Sequence, residues 1–248
     1  MRIQSADEQI EFKDVIIGEV WVCAGQSNME WRVKQSNDAE KEIAAAKYPR
    51  IRHIKFPHRP ADNPQSDIPS SGWQVCSPET VGDFTAVGYY FGKFLKDELD
   101  VPIGLLGCNW GGTRIEPWIP PAGFRAVPKL ADIAGTLDQF PTIRNNGAIN
   151  PQTPMALYNG MVAPVIPYGI RGAIWYQGES NNGEGMLYHE KMKALIAGWR
   201  STWQKPNLPF YFVQLAPYKY GNRSPQDLAG IWEAQLKTLS VPHTGMAV

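Results

Sequence analysis

Short apolar runs alternate with stretches of helical spacing along most of this chain, and that alternation constrains its fold more than any other feature. The runs at 20–23 (VWVC), 51–56 (IRHIKF), 101–108 (VPIGLLGC), 170–176 (IRGAIWY) and 209–215 (PFYFVQL) are bounded by turn residues and read as buried strands. Residues 244–248 (TGMAV) begin another. Between the runs lie three apolar stripes at helical spacing. The first is Phe84, Val87, Phe91, Phe94 and Leu95; the second is Tyr188, Met192, Leu195, Ile196, Trp199 and Trp203. The third, Leu228, Ile231, Trp232, Leu236 and Leu239, starts behind Ser224, Pro225 and Asp227, a good helix N-terminus. This order predicts an α/β fold with a parallel sheet covered by helices on both faces. Residues 57–83 carry five prolines and few periodic apolar positions, which predicts a long surface loop of the kind that carries function. Residues 111–159 read as irregular, with one short helix near 130–137.

Charge narrows the choice of partner. The 24 Lys and Arg balance 24 Asp and Glu, for a formal net charge of 0. Phosphate-driven binding needs a surplus of cations gathered on one face, so nucleic acid is not an expected partner. Charged residues make up only 19% while Trp numbers nine, a composition that offers aromatic faces and neutral polar groups to a ligand such as a sugar. The longest uncharged stretch, 145–170, has the length of a bilayer span, but its four prolines and four Asn exclude a membrane helix. Cys23, Cys76 and Cys108 form no CxxC pair, so neither a disulfide framework nor a zinc site is expected, and Cys23 and Cys108 read as small core residues. No residue group has metal-ligand spacing, and neither GK[ST] nor GxGxxG occurs, so no cofactor is expected. Residues 1–13 lack the pattern of a signal peptide.

In parallel α/β sheets the ligand site lies beyond the carboxyl ends of the strands, which directs attention to three loops. The loop after Cys23 contains Gln26, Ser27 and Asn28. A Ser at a strand-to-helix turn either presents a nucleophilic hydroxyl beside outward N–H groups or caps the helix. The loop after Cys108 runs Asn109, Trp110, Gly111, Gly112, Thr113, Arg114, with Glu116 and Trp118 beyond. Its paired glycines suit either an oxyanion hole or a tight turn. The loop after Tyr176 places Gln177 and Glu179 at one strand end, for chemistry or for capping the next helix with Ser180.

Taken together, GEVWVCAGQSNMEW (18–31), VPIGLLGCNWGGTRIEPW (101–118) and IRGAIWYQGESN (170–181) resemble the sialate O-acetylesterase and acetylxylan esterase group of the SGNH hydrolases, in order and wording. The resemblance runs from Val15 onward. It implies a flavodoxin-like three-layer α/β/α sandwich, a serine esterase removing O-acetyl groups from carbohydrate, sialic acid foremost, and a periplasmic or secreted location; the alternatives are an acetylxylan esterase or a non-catalytic sugar-binding protein with the same fold. It makes Ser27 the nucleophile, and the N–H groups of Ser27 and of Gly111 or Gly112 the oxyanion donors. Gln177 supplies a side-chain donor where many SGNH enzymes have Asn, and Glu179 orients the base or binds substrate. Gln26, Asn28, Trp110, Arg114 and Trp118 are candidate substrate contacts, with Trp31 and Tyr176 nearby; Arg114 either pairs with Glu116 or grips a substrate carboxylate.

In this group the base comes from a D-x-x-H block after the last strand, and no D-x-x-H occurs in these 248 residues. The reading is a catalytic domain over 15–248 truncated at its C-terminal side, with residues 1–14 the last hairpin of a preceding β domain. Of the four histidines, His243 precedes a strand, His189 reads as solvated and His53 as a packed strand residue. Only His58 follows a strand's carboxyl end.

Overall fold

The computed structural model describes residues 1–219 and 224–248. In chain order the elements are β1 (Arg2–Gln4), β2 (Gln9–Glu11), β3 (Glu19–Gly25), α1 (Ser27–Glu30), α2 (Ala39–Ala45), β4 (Tyr48–Lys55), β5 (Gln74–Cys76), α3 (Ala86–Leu99), β6 (Ile103–Asn109), α4 (Pro121–Ala126), α5 (Ala131–Ala134), β7 (Gly172–Tyr176), α6 (Leu187–Thr202), β8 (Phe210–Val213), α7 (Pro225–Thr238) and β9 (Thr244–Ala247). β1 and β2 form the expected N-terminal hairpin. The other strands make one seven-stranded sheet in the order β5-β4-β6-β3-β7-β8-β9. It is parallel except at one edge, where β5, inside the stretch expected to be loop, runs antiparallel to β4.

The sheet is buried on both faces, which is why its strands read as continuous apolar runs. Trp21 and Cys23 of β3, with Ile103 and Leu105 of β6, share a core with Phe84 and Tyr89. The alternate residues Val22, Ala24, Leu106 and Cys108 share the other core with Tyr188, Met192, Trp199 and Ile231. Two of the apolar stripes deviate from their reading. Phe94 is 63% exposed on α3, and Leu236 of α7 and Leu239 just past its end face outward. Gln235 takes the inner face of α7 instead, where its amide receives the Leu215 N–H and donates to Val213 O. All three cysteines are buried and free.

Numbered from β3, the parallel strands lie 2-3-1-4-5-6, an exchange of two inner strands relative to the 2-1-3-4-5 order of flavodoxin. The chain runs from β3 to β4 and β6 on one side and then crosses from β6 to β7 on the other, so a crevice opens at the carboxyl end of β3. β6 and β7 flank β3 there, and the three loops singled out by sequence therefore meet at one edge.

Candidate active site

Gly25 ends β3 with φ +139°, and a Cβ at this position would lie 2.1 Å from Tyr176 O. Only glycine lets the turn press against β7, and the contact is locked by Gln26 N–H donating to Tyr176 O at 3.0 Å and Trp110 N–H to Gly25 O at 3.0 Å. α1 begins immediately afterwards. Its N-cap position is Gln26, without a side-chain cap, so the Ser27 hydroxyl is not a capping group. Ser27 is exposed, and neither its hydroxyl nor its N–H has a hydrogen-bond partner among the described residues. The helix is seated by buried Met29, whose carbonyl accepts from Thr85 Oγ1 at 2.6 Å. A groove of about 310 Å³ opens beside it, lined by Ser27, Glu30, Trp31, Arg32, Lys34 and Gln35.

The glycine pair divides its work. Gly111 N–H donates to Glu30 Oε2 at 2.8 Å. Gly112, at φ +74° with open space where a Cβ would stand, keeps an N–H with no partner among the described residues. Asn28 Nδ2 donates to Glu179 Oε1 at 2.5 Å, and the other carboxylate oxygen of Glu179 is buried without a partner. Burial pushes the Glu179 carboxyl above its ordinary range, against the lowering effect of backbone N–H groups and Asn28. Trp110 is half-buried, with the His58 ring stacked on it at 4.5 Å between centroids.

Other expected site residues are turned inward. Gln177 is fully buried, and its amide donates to Thr113 O (3.1 Å) and Asn181 Oδ1 (2.8 Å) while its oxygen accepts from Tyr188 Oη (2.9 Å). Both amide hydrogens are committed, so Gln177 has none left for an oxyanion. Gln26 Oε1 receives the N–H groups of Gly178 and Ser180 and so holds the third loop. Trp118 is fully buried, its Nε1 donating to Thr113 Oγ1 and its ring edge-on to Trp175, which removes it as a sugar platform. Arg114 lies against Glu116, Glu184 and Ser180 O. With its guanidinium so engaged, the ion-pair reading prevails over a substrate grip.

The same cluster contains Lys191, 4% exposed, whose ammonium donates to Glu116 Oε1 (2.7 Å) and Glu184 Oε2 (2.6 Å). Asn181 joins it by donating to Glu116 Oε2 and receiving Ile115 N–H. The network ties the second loop, the third loop and α6 into one rigid wall, and neither Lys191 nor Glu184 was expected at the site. A lysine buried on α6 leaves no local signal: Lys193, two residues on, is the helix's one other lysine and is only half-buried.

No histidine among the described residues hydrogen bonds Ser27. His53 is packed on Phe84 with Nε2 unpartnered, and burial, then the Lys55 charge, pushes it down to about 3. His189, expected in solvent, is buried against Thr238 Oγ1 at 3.0 Å because α7 lies over α6. His58 does stand at the site, bound to Glu30 Oε1 at 2.8 Å.

Two carboxyls make acid stability predictable. Burial would raise Glu30, but hydrogen bonds from His58, Lys55 and Gly111 hold it at about 2. Burial would likewise raise Glu116, but the Lys191 ammonium and Arg114 guanidinium hold it at about 2. Their ordinary value is 4.5. As pH falls through that value the unfolded chain takes up protons that the folded chain does not. The stabilisation is therefore complete above 4.5 and lost as pH falls toward 2. Thermal melts should show Tm falling across this window, with a shallower fall in Glu30→Gln/Glu116→Gln; a flat Tm there would contradict the assignment.

A mostly parallel three-layer sheet with an unengaged serine at the carboxyl end of its first parallel strand defines an SGNH-type α/β sandwich. Comparison with known proteins supports this class and narrows it. The family model for carbohydrate esterase, sialic acid-specific acetylesterase, matches residues 17–247, and the chain belongs to that family. It is similar to sialate O-acetylesterase of Rattus norvegicus, 31% identical over 280 residues covering 98% of this chain and 52% of the relative. The Homo sapiens sialate O-acetylesterase is 33% identical over 235 residues, covering 86% and 43% respectively. The crystal structure of a carbohydrate acetylesterase from Xanthomonas citri superposes with TM-score 0.86 at 35% identity, covering all of this chain and 53% of that one. An Arabidopsis thaliana protein at 20% identity and TM-score 0.55 shares the fold. The chain spans about half the length of the curated relatives it matches.

Proposed function

We propose that this chain carries the nucleophile and oxyanion site of a serine esterase that removes O-acetyl groups from carbohydrates, sialic acid foremost. The observation that carries the reading is the exposed, uncapped Ser27 hydroxyl at the N-terminus of α1, with the N–H groups of Ser27 and Gly112 unpartnered beside it. Ser27 Oγ attacks the acetyl carbonyl as a base takes its proton, the two N–H groups hold the oxyanion, the ester C–O bond breaks so that the sugar hydroxyl leaves with that proton, and water then releases acetate from the acyl-enzyme and restores the serine. A serine hydroxyl needs a base, and the resemblance assigns that work to a D-x-x-H histidine. The unpartnered oxygen of Glu179 is suited to orient such an imidazole. The exposed Trp31 and the half-buried Trp110 line the approach. No helix among the described residues is long and apolar enough to cross a membrane, and the proposed location is periplasmic or secreted. The N-terminal hairpin is proposed to belong to a neighbouring β domain.

Acetate release by the full-length gene product from O-acetylated sialic acid and from acetylated xylan tests this. The expected result is a kcat/KM for the sialate about tenfold or more above that for xylan. The reverse order would move the substrate class to xylan. Binding of sugar with no acetate released from either would identify a non-catalytic sugar-binding protein.

A further inference from the structure

Glu30 stands three residues after Ser27, at the end of the same helical turn, so the two side chains share a face. Its carboxylate gathers three donors from two segments, the end of β4 with the turn after it and the turn after β6. Lys55 Nζ, at the end of β4, reaches Oε1 at 2.9 Å; His58 Nε2 reaches Oε1 at 2.8 Å; Gly111 N–H reaches Oε2 at 2.8 Å. Lys55 is held in turn by Asn109 Oδ1 at 2.8 Å, the last residue of β6. The turn it grips lies against the nucleophile, since a Cβ on Gly111 would stand 3.5 Å from Ser27 Cα and Cβ. A two-glycine turn has little conformational preference of its own, so the direction of its N–H groups needs an outside hold.

We propose that Glu30 is a positioning residue for the oxyanion loop: by taking the Gly111 N–H it fixes the turn and leaves Gly112 N–H as the loop's donor, while Lys55 neutralises its charge. The proposal rests on Ser27 being the nucleophile. The neutralisation is necessary because a bare carboxylate beside the site would oppose the negative charge that develops on the acetyl oxygen. Glu30 is thus useful to catalysis only as an ion pair, and the two substitutions that break the pair have different consequences. Removing Glu30 loosens the turn. Removing Lys55 leaves the turn held, with an opposing charge beside it.

The test uses the full-length gene product, with steady-state acetate release and the rate of Ser27 labelling by a fluorophosphonate, after circular dichroism has shown each variant folded. Glu30→Ala should lower kcat and the labelling rate by roughly 10- to 100-fold, with KM changed by less than about threefold. Lys55→Met should lower kcat about tenfold or more, and adding Glu30→Gln to it should recover most of that loss. A merely structural pair predicts the opposite, a double variant as poor as Lys55→Met or worse. If Glu30→Ala does not fold, the Lys55→Met and Lys55→Met/Glu30→Gln pair decides alone. A kcat for Glu30→Ala within about twofold of wild type, a rise confined to KM, or no recovery in the double variant would each overturn the proposal. Absence of labelling at Ser27 in the wild-type protein would instead remove the nucleophile assignment on which it rests.

Discussion

Ser27→Ala in the full-length gene product is expected to abolish acetate release, with kcat lower by about 10⁶-fold and sugar binding retained. The size of the loss follows from how nucleophile and base act as a unit: either one missing removes nearly all of their joint contribution. What survives is the oxyanion site and the cleft, worth roughly 10³ to 10⁴ over water. The Ser27 hydroxyl makes no hydrogen bond to the described residues and caps no helix, so its removal should leave Tm almost unchanged. That separation of activity from stability is the useful part of the measurement. Residual kcat within tenfold of wild type, or a fluorophosphonate adduct mapped by mass spectrometry to Ser180, would place the nucleophile elsewhere.

Lys191→Met is expected to produce the largest loss of stability, about 3–5 kcal/mol, which for a domain of this size lowers Tm by roughly 6–20 °C. Its ammonium lies between Glu116 and Glu184 at 2.7 and 2.6 Å in a site almost closed to water. Without it the two carboxylates share only Arg114, and one buried negative charge is left without a counterion. The cost comes from that uncompensated charge and not from the intrinsic worth of the pair, so a second substitution, Glu116→Gln, should return part of the loss. Urea denaturation of the single and double variants measures both. A single-variant loss below about 1 kcal/mol would show that water or side-chain movement relieves the charge. Because the network joins the second and third loops to α6, the destabilised variant should also lose activity when assayed near its melting range.

Part of the candidate site was legible before folding because its signals are local. The Gly-Gln-Ser sequence after a buried run places Ser27 at a strand end, and the Gly111–Gly112 pair marks a turn able to present N–H groups. The i, i+3 spacing of Ser27 and Glu30 was also available in the sequence, although nothing local showed what Glu30 would hold. Gln177, Gln26, Arg114 and Trp118 sit in the right loops but turn their polar groups into protein. Each hydrogen-bond donor can serve a ligand or the protein, and the choice is made by partners far away in sequence, as with Gln177 and Thr113 O or Arg114 and Glu184.

The sequence by itself determined the layered α/β architecture, the edge on which the three loops gather and the candidacy of Ser27. Apolar periodicity and strand-to-helix punctuation are properties of neighbouring residues, and one face of each element has a single way to leave water. Tertiary structure decided which polar groups stay available for chemistry. Lys55, His58 and Gly111 converge on Glu30 only because β4, β6 and β3 lie side by side, and Lys191 loses its water only because α6 closes over the second and third loops. Hydrogen bonds and ion pairs require ångström-scale approach between distant segments, and that distance exists only once the sheet order has been chosen.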